Sequence, residues 1–157
     1  MLFSCFKDPA RVITQAVHAL NPGGYLELQD VLLTFVSDEK PLEGTCLMEW
    51  VKMLHEGAAR LGKDWMCMER FKEYMENAGL EDVKEVHYRW PIHTWPRDEH
   101  HKELGRWCYA DLQDGLEAIS LAALSRGLGM TSEEIQARLV GVRQQIKDPN
   151  NRAYIPV

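Results

Sequence analysis

The sequence predicts an α/β protein that is poor in strands, with helices packed on a small sheet. Three observations carry this. Residues 9–20 have helical spacing, then turn sharply through Asn-Pro-Gly-Gly into the alternating stretch YLELQDVLL, residues 25–33, which together read as one helix–strand unit of a layered sheet. Only two more segments read as strands: DVKEVHYRW, residues 82–90, and the short tail RAYIPV, residues 152–157. The remainder reads as roughly six helical segments, whereas a usual sheet has about five or six strands.

Each element has its own local reason. Asp8 suits a helix N-cap and Pro9 the first helical position. Val12, Ile13, Ala16, Val17 and Leu20 then give one apolar face, and Asn21 to Gly24 stop the helix. After the polar loop SDEKPLEG, residues 43–61 predict a helix with Leu47, Trp50, Val51, Leu54, Ala58 and Leu61 on one side, closed by Gly62. Residues 67–78 predict another, ended by Gly79. In DVKEVHYRW, Val86, Tyr88 and Trp90 fall on one face and Glu85, His87 and Arg89 on the other, so one side is expected to be wetter. A long helix spans about 98–126, with a bend expected at Gly115. Thr131 and Glu134 make a capping-box pattern for the last helix.

Composition narrows the function classes. The chain has 157 residues, 45% hydrophobic and 27% charged, with net charge −6, and so lacks the basic excess of a phosphate-backbone binder. Cysteines 5, 46, 67 and 108 form neither a CxxC nor a CxxH pair, which predicts reduced, mostly buried thiols in an intracellular protein. No apolar run approaches the roughly 18 residues of a membrane span, and KDPAR cuts off MLFSCF too early for a signal segment. The expected location is the cytosol or nucleus.

Two stretches carry candidate chemistry. Glu27 and Gln29 share a strand face and Asp30 lies at the strand's exit, where open α/β sheets bind ligands; the same pattern also suits an edge strand with a solvated face. In YRWPIHTWP, Trp90 and Trp95 with Pro91 and Pro96 make a rigid aromatic wall around His93. His93 is the predicted general base, since an imidazole titrates near neutrality. The alternative is that the tryptophans simply cap the core. His55 on the helix 43–61 reads as a solvated histidine or a second base. His100 and His101 adjoin Asp98 and Glu99, but adjacent helical side chains diverge, so no metal site is predicted. Cys108, among apolar neighbours, reads as a buried thiol and not a nucleophile.

These residues resemble a family. FKDPARVITQAVHALNPGGYLELQD resembles the helix-D and strand-5 region of class I S-adenosylmethionine-dependent methyltransferases. The ordered set NPGGYLELQD, MEWVKMLHEGAARLGKD, MENAGLEDVKEVHYRWPIHTWPRD, KELGRW, GLEAISLAALSRGLGMTSEEI and NRAYIPV is similar to the fungal LaeA-like methyltransferases of secondary metabolism. The resemblance implies a partial Rossmann-like methyltransferase fold: family strands 5, 6 and a shortened 7, with 1–157 forming a single domain that is the C-terminal portion of the whole. The family's glycine-rich donor loop, and the acidic residue that bonds the ribose, have no counterpart here.

The resemblance also implies chemistry. The donor is S-adenosylmethionine and the acceptor a small molecule or a protein side chain, with neither nucleic acid nor membrane as partner. Leu2, Phe3 and Ser4 match the segment beside the adenine, so Phe3 and Ser4 are the implied cofactor contacts. With the donor loop absent, this chain alone is expected to bind the cofactor weakly or not at all. A sulfonium methyl is already activated, so positioning the acceptor is most of the task and no catalytic triad is expected. Two other readings stand beside this one. The chain is a truncated, non-catalytic relative that acts by homodimerisation, or with a complementing chain, through the unpaired edge of YLELQD; or it is a helical module that holds an apolar ligand near its tryptophans.

Overall fold

The computed structural model describes residues 5–157. Phe3 and Ser4, the implied cofactor contacts, lie outside the described residues together with Leu2. In chain order the elements are α1 (Pro9–His18), α2 (Cys46–Arg60), a 3₁₀ turn (Cys67–Arg70), α3 (Phe71–Asn77), β1 (Arg89–Pro91), α4 (Glu99–Leu121), a π-helical turn (Ala122–Gly127), α5 (Ser132–Lys147) and β2 (Tyr154–Pro156). The chain is therefore a helix-rich α/β protein with a small sheet, as the sequence predicts.

The helix starts obey local rules. Asp8 accepts from the Arg11 N–H at 2.9 Å ahead of Pro9. Thr45 caps α2 through the Met48 N–H, and Asp98 caps α4 through the His101 N–H. The capping box of α5 is complete: the Glu134 N–H reaches Thr131 Oγ1 at 3.2 Å, and the Thr131 N–H reaches Glu134 Oε2 at 2.8 Å. Gly115 does not break the helix. α4 runs through it and widens into the π turn only at Ala122.

The strands depart further from expectation. β1 and β2 pair antiparallel, Arg89 opposite Pro156, Trp90 opposite Ile155 and Pro91 opposite Tyr154. On the other side of β2, Val36 and Tyr154 exchange backbone bonds at 3.0 and 2.9 Å, and the Leu32 N–H reaches the Pro156 carbonyl at 3.0 Å. The C-terminal strand thus lies between the other two segments. Residues 153, 155 and 157 face β1, while 154 and 156 face residues 32–36.

Two prolines fit this pattern. Pro156 has no N–H to give to the 32–36 side, and there the chain bulges, with the Thr34 N–H turning back to the Leu32 carbonyl at 2.7 Å. Pro91 points its missing donor away from β2, to the outer edge.

The predicted strand 25–33 is corrected to an extended segment whose ladder begins only at Leu32. Residues 25–29 make no backbone-to-backbone bond among the described residues. A strand cannot satisfy its own backbone, so without a neighbour the alternation alone does not make one. The predicted strand 82–90 shrinks for the same reason: backbone pairing starts at Tyr88. Its apolar face is also not covered as expected, for Val86 and Tyr88 are 63% and 61% exposed.

The core lies between α2, α4, α5, the π turn and one face of the sheet. Leu47, Trp50, Leu54, Leu116, Leu124, Leu139 and Ile146 are fully buried there, with Ile92 and Ile155 below them. Trp50 is the largest buried side chain. Its indole N–H donates to Ser120 Oγ at 2.8 Å, and that hydroxyl donates to the Leu116 carbonyl at 2.6 Å, so both of these buried donors are matched.

Glycines set the closest crossing. A Cβ on Gly57 would stand 2.2 Å from the Ala123 carbonyl oxygen, and one on Gly127 would stand 2.2 Å from the carbonyl oxygen of Gly57. α2 and the π turn therefore meet backbone to backbone. α1 packs separately, against α3.

Gly57→Ala should destabilise the fold by about 1–3 kcal/mol or more, since backbone rather than a flexible side chain must yield. Ser120→Ala should cost about 1–3 kcal/mol by leaving the Trp50 N–H without its acceptor. Urea unfolding midpoints measure both.

Candidate functional site

The sequence-predicted site residues fall into two groups. The first lies on the loop between β1 and α4. Trp95 donates its indole N–H to the Ala153 carbonyl at 3.1 Å, which ties the loop to the strand entering β2. The His93 ring meets the edge of Tyr109 on α4 at 5.1 Å between centroids, with 68° between planes. α4 comes this close because residue 105 is glycine: a Cβ there would lie 2.2 Å from the His93 carbonyl oxygen. Trp90, on β1, is 37% exposed and opens one side of the group.

Hydrogen bonding assigns the His93 ring. Its Nδ1 accepts the Thr94 backbone N–H at 2.8 Å, so the neutral ring carries its proton on Nε2. Proton acceptance by His93 requires that this contact open.

The second group follows α1. Gln29 Nε2 donates to Glu27 Oε1 at 2.7 Å, so the two side chains do share a face, and both are exposed. Asp30 is half-buried, accepts the Val31 N–H at 2.8 Å, and faces the Cys67 thiol closely enough to raise its pKa. No hydrogen bond or ring contact among the described residues joins Glu27 or Gln29 to Trp90, His93 or Trp95.

One histidine belongs to the second group that the sequence leaves in solvent or as a base. His55 is half-buried, and its Nε2 lies 2.9 Å from the Leu33 carbonyl. A carbonyl only accepts, so Nε2 carries the proton. Burial lowers the His55 pKa below 6.5, against the bond to Leu33 and the carboxylates of Asp64 and Glu69, which raise it.

Asp64 organises the turn after α2. It accepts the Met66 N–H at 2.9 Å and pairs with Arg70, whose guanidinium sits 5.4 Å from the Tyr74 ring centroid. Burial, then Asp64 and Asp30, push the Cys67 thiol up. Helical periodicity alone could not place these groups together, because they come from three elements and the turn between two of them.

The thiols divide two and two. Cys67 and Cys108 are buried, whereas Cys5 and Cys46 are exposed, which corrects the expectation that most are buried. Cys46 is the first residue of α2, and its sulfur lies over Gly141 of α5 at the rim of the helical layer. Burial, then the Asp111 charge, push Cys108 up to about 12, so it has little thiolate character.

His101 Nδ1 lies 2.7 Å from Asp98 Oδ2. Among the described residues no group of three or more His, Cys, Asp or Glu side chains converges as a metal site. No helix among them is long and apolar enough to cross a membrane.

The geometry also tests whether the described residues fit a nucleotide donor. Gly23 has φ +80° and open space at its Cβ position, while a Cβ on Gly24 would stand 3.0 Å from the Asn21 carbonyl oxygen. This pair closes the turn after α1, where the Gly24 N–H bonds back to Asn21 at 2.9 Å. It is a helix-ending turn, not a glycine cradle between a strand and a helix. The Gly23–Gly24 pair therefore does not fit the role of a donor cradle. A cleft of about 480 Å³ does open between α2 and α5, walled by Met53, Arg60, Met130 and Arg138, but no predicted site residue lines it.

No family model matches the chain, and no solved structure matches it. Curated relatives do. The chain is 30% identical over 151 residues to the probable methyltransferase tdiE of Emericella nidulans, covering 96% of this chain and 48% of that protein. It is 28% identical over 142 residues to the methyltransferase pytC of Aspergillus terreus, covering 88% and 43%. It is 26% identical over 137 residues to the protein-methionine methyltransferase laeA of Emericella nidulans, covering 86% and 36%. The chain spans about half the length, or less, of these relatives.

Two outcomes follow from the burial of the thiols and of His55. Cys5 and Cys46 should react with a thiol reagent at pH 8 in the native protein, and Cys67 and Cys108 only after unfolding, as counted by mass spectrometry. Folding depresses the His55 pKa, so below about pH 6.5 the unfolded chain binds more protons than the folded one. His55 therefore contributes stability above that pH which is lost on acidification through its folded pKa. Urea midpoints should fall as the pH is lowered, with a shallower slope in His55→Gln.

Proposed function

We propose that the chain belongs with the fungal methyltransferases of the LaeA type, to which it is similar over most of its length, and that it forms the acceptor side of a methyl-transfer site. The whole enzyme would move a methyl group from S-adenosylmethionine to a small-molecule or protein acceptor in fungal secondary metabolism. The observation that carries this is the likeness to the named methyltransferases over nearly all of this chain.

In this reading residues 1–157 are one domain, the C-terminal portion of a class I methyltransferase fold. The segments 25–36, 88–92 and 153–157 stand for family strands 5, 6 and 7. Their side-by-side arrangement, with the last segment central, supports the assignment.

The roles follow from what each side chain can offer. Trp90 and Trp95 supply an apolar wall against which an acceptor is oriented. Glu27, Gln29 and Asp30 supply hydrogen-bonding groups at the exit of the first extended segment. His93 takes a proton from a protic acceptor once the Thr94 N–H releases Nδ1. A thioether acceptor, as the name of the relative laeA describes for that protein, has no proton to give and would not use it. By the same likeness Phe3 and Ser4 would be the residues that hold the donor's base. The donor supplies an activated methyl, and the residues that cradle it belong to a part of the fold that the described residues do not build. The enzyme would work in the cytosol or nucleus.

Titration calorimetry of the 157-residue chain with S-adenosylmethionine tests the division of labour. Heat is expected to be absent or to report binding far weaker than micromolar. Clear micromolar binding to this chain alone would overturn the assignment of the donor site to another part of the fold.

A further inference from the structure

His93 carries a hydrogen-bond donor that no described residue uses. Its Nδ1 faces two donors, the Thr94 backbone N–H at 2.8 Å and the Thr94 hydroxyl at 3.2 Å. A nitrogen that accepts from its neighbours carries no proton, so the neutral ring holds its proton on Nε2. Among the described residues nothing accepts from Nε2, and that atom is not sealed from solvent. His55 differs, because its Nε2–H is already spent on the Leu33 carbonyl at 2.9 Å.

The ring is also held in place. Tyr109 meets it at 5.1 Å between centroids, and α4 comes that close through Gly105. Two residues on, Trp95 ties the loop to the Ala153 carbonyl at 3.1 Å. A histidine on an open surface would turn among rotamers. This one is packed by Tyr109 and bonded at Nδ1, so its donor loses little freedom on binding. A fixed donor beside aromatic rings matches the usual lining of a ligand site, apolar surface with a few placed polar groups. The partner of an N–H must accept a hydrogen bond, and a carbonyl oxygen does that and nothing else. A flat aromatic body matches the rings of Tyr109 and of Trp90, which is partly exposed on β1.

We infer that His93 meets its substrate as a hydrogen-bond donor, its Nε2–H holding the carbonyl oxygen of an aromatic ketone. This rests on the reading given under Proposed function, and it adds the substrate class and the atom that orients it. In this role the ring keeps its proton and the contact with Thr94 stays closed, whereas proton acceptance requires that contact to open. His93 is then a binding residue in the geometry the loop already has.

Long-range nitrogen–proton correlation spectra of the 157-residue chain at pH 8 read the tautomer, with the His93 signals assigned by their loss in His93→Gln. The Nε2–H form is expected, and a dominant Nδ1–H form would overturn the inference. Acetophenone then serves as the probe, with ethylbenzene, of similar shape but without the oxygen, as its control. Acetophenone should move the His93 Nε2 signal and ethylbenzene should not. His93→Gln keeps a side-chain N–H and should bind acetophenone within about threefold of the unaltered chain, while His93→Leu should weaken it roughly fivefold or more, the loss of one hydrogen bond. Circular dichroism checks that the variants keep their fold, and His93→Phe, which retains a ring against Tyr109 without the donor, gives the same readout should His93→Leu unfold. Absence of acetophenone binding would overturn the inference, as would binding equal to that of ethylbenzene or indifferent to loss of the donor. The probe is read without S-adenosylmethionine, so its failure counts against this inference alone, while the calorimetry under Proposed function bears on the methyltransferase reading alone.

Discussion

The last five residues hold the architecture together. Residues 153–157 form the only backbone link between β1 and the segment 32–36 among the described residues, bonding alternately to one side and the other. Each neighbour is otherwise a lone extended stretch. Side-chain contacts reinforce the same strand: the Arg89 guanidinium lies 4.6 Å from the Tyr154 ring centroid and bonds Asp38 at 2.7 Å, while the Tyr154 hydroxyl donates to Asp38 at 3.3 Å. These partly exposed polar contacts add little energy singly. Their effect is to fix where the loop after residue 36 crosses β2, and so to close that face.

The helical layer relies on a different device. Helices satisfy their own backbone hydrogen bonds, so they need only bury one face. Here α2 descends onto the π turn at Gly57 and Gly127, close enough for carbonyl to meet backbone, and Trp50 fills the space beside that crossing. Ser120 makes the arrangement possible by giving the buried indole an acceptor within α4. The helical layer reaches the sheet through Ile92, Ile155, Phe35 and Leu33. His55 adds a hydrogen bond at this junction, from α2 to the Leu33 carbonyl. The walls of the candidate site are thereby held from two sides, with Trp95 anchored on Ala153 and His93 lodged against α4.

What the sequence made legible follows from this contrast. Asp8–Pro9, Thr131 with Glu134, and the apolar spacing of residues 47–58 are local signals, and each produced the expected helix within a few residues. The π turn was not legible as such, because nothing local distinguishes Ala122–Gly127 from a continued α-helix. Its reason is the tertiary crossing with Gly57. The YLELQDVLL alternation was read correctly as extended and wrongly as a full strand. Periodicity reports the faces of a segment and says nothing of its neighbours. The loop's aromatic composition was legible, but its partners were not: His93 meets Tyr109 on α4 and Trp95 bonds the Ala153 carbonyl, both from distant parts of the chain. The tautomer of His93 was not, since it depends on a backbone N–H one residue away whose direction only the folded loop sets.

The same asymmetry explains how a chain about half as long as its relatives keeps a closed core. The helices α2, α4 and α5 bury their apolar faces against one another and the inner part of the sheet, and ask nothing of further chain. The extended segments cannot be closed in this way: each needs a bonded neighbour, and its apolar face needs a cover. Among the described residues, unmade backbone pairing therefore collects in the extended stretches 25–29 and 81–87, and exposed apolar surface at Val86 and Tyr88. A polar edge could rest in water without cost. An alternating apolar face is the costlier one to leave in water, and here that cost falls on Val86 and Tyr88 of the sheet layer and not on the helical core.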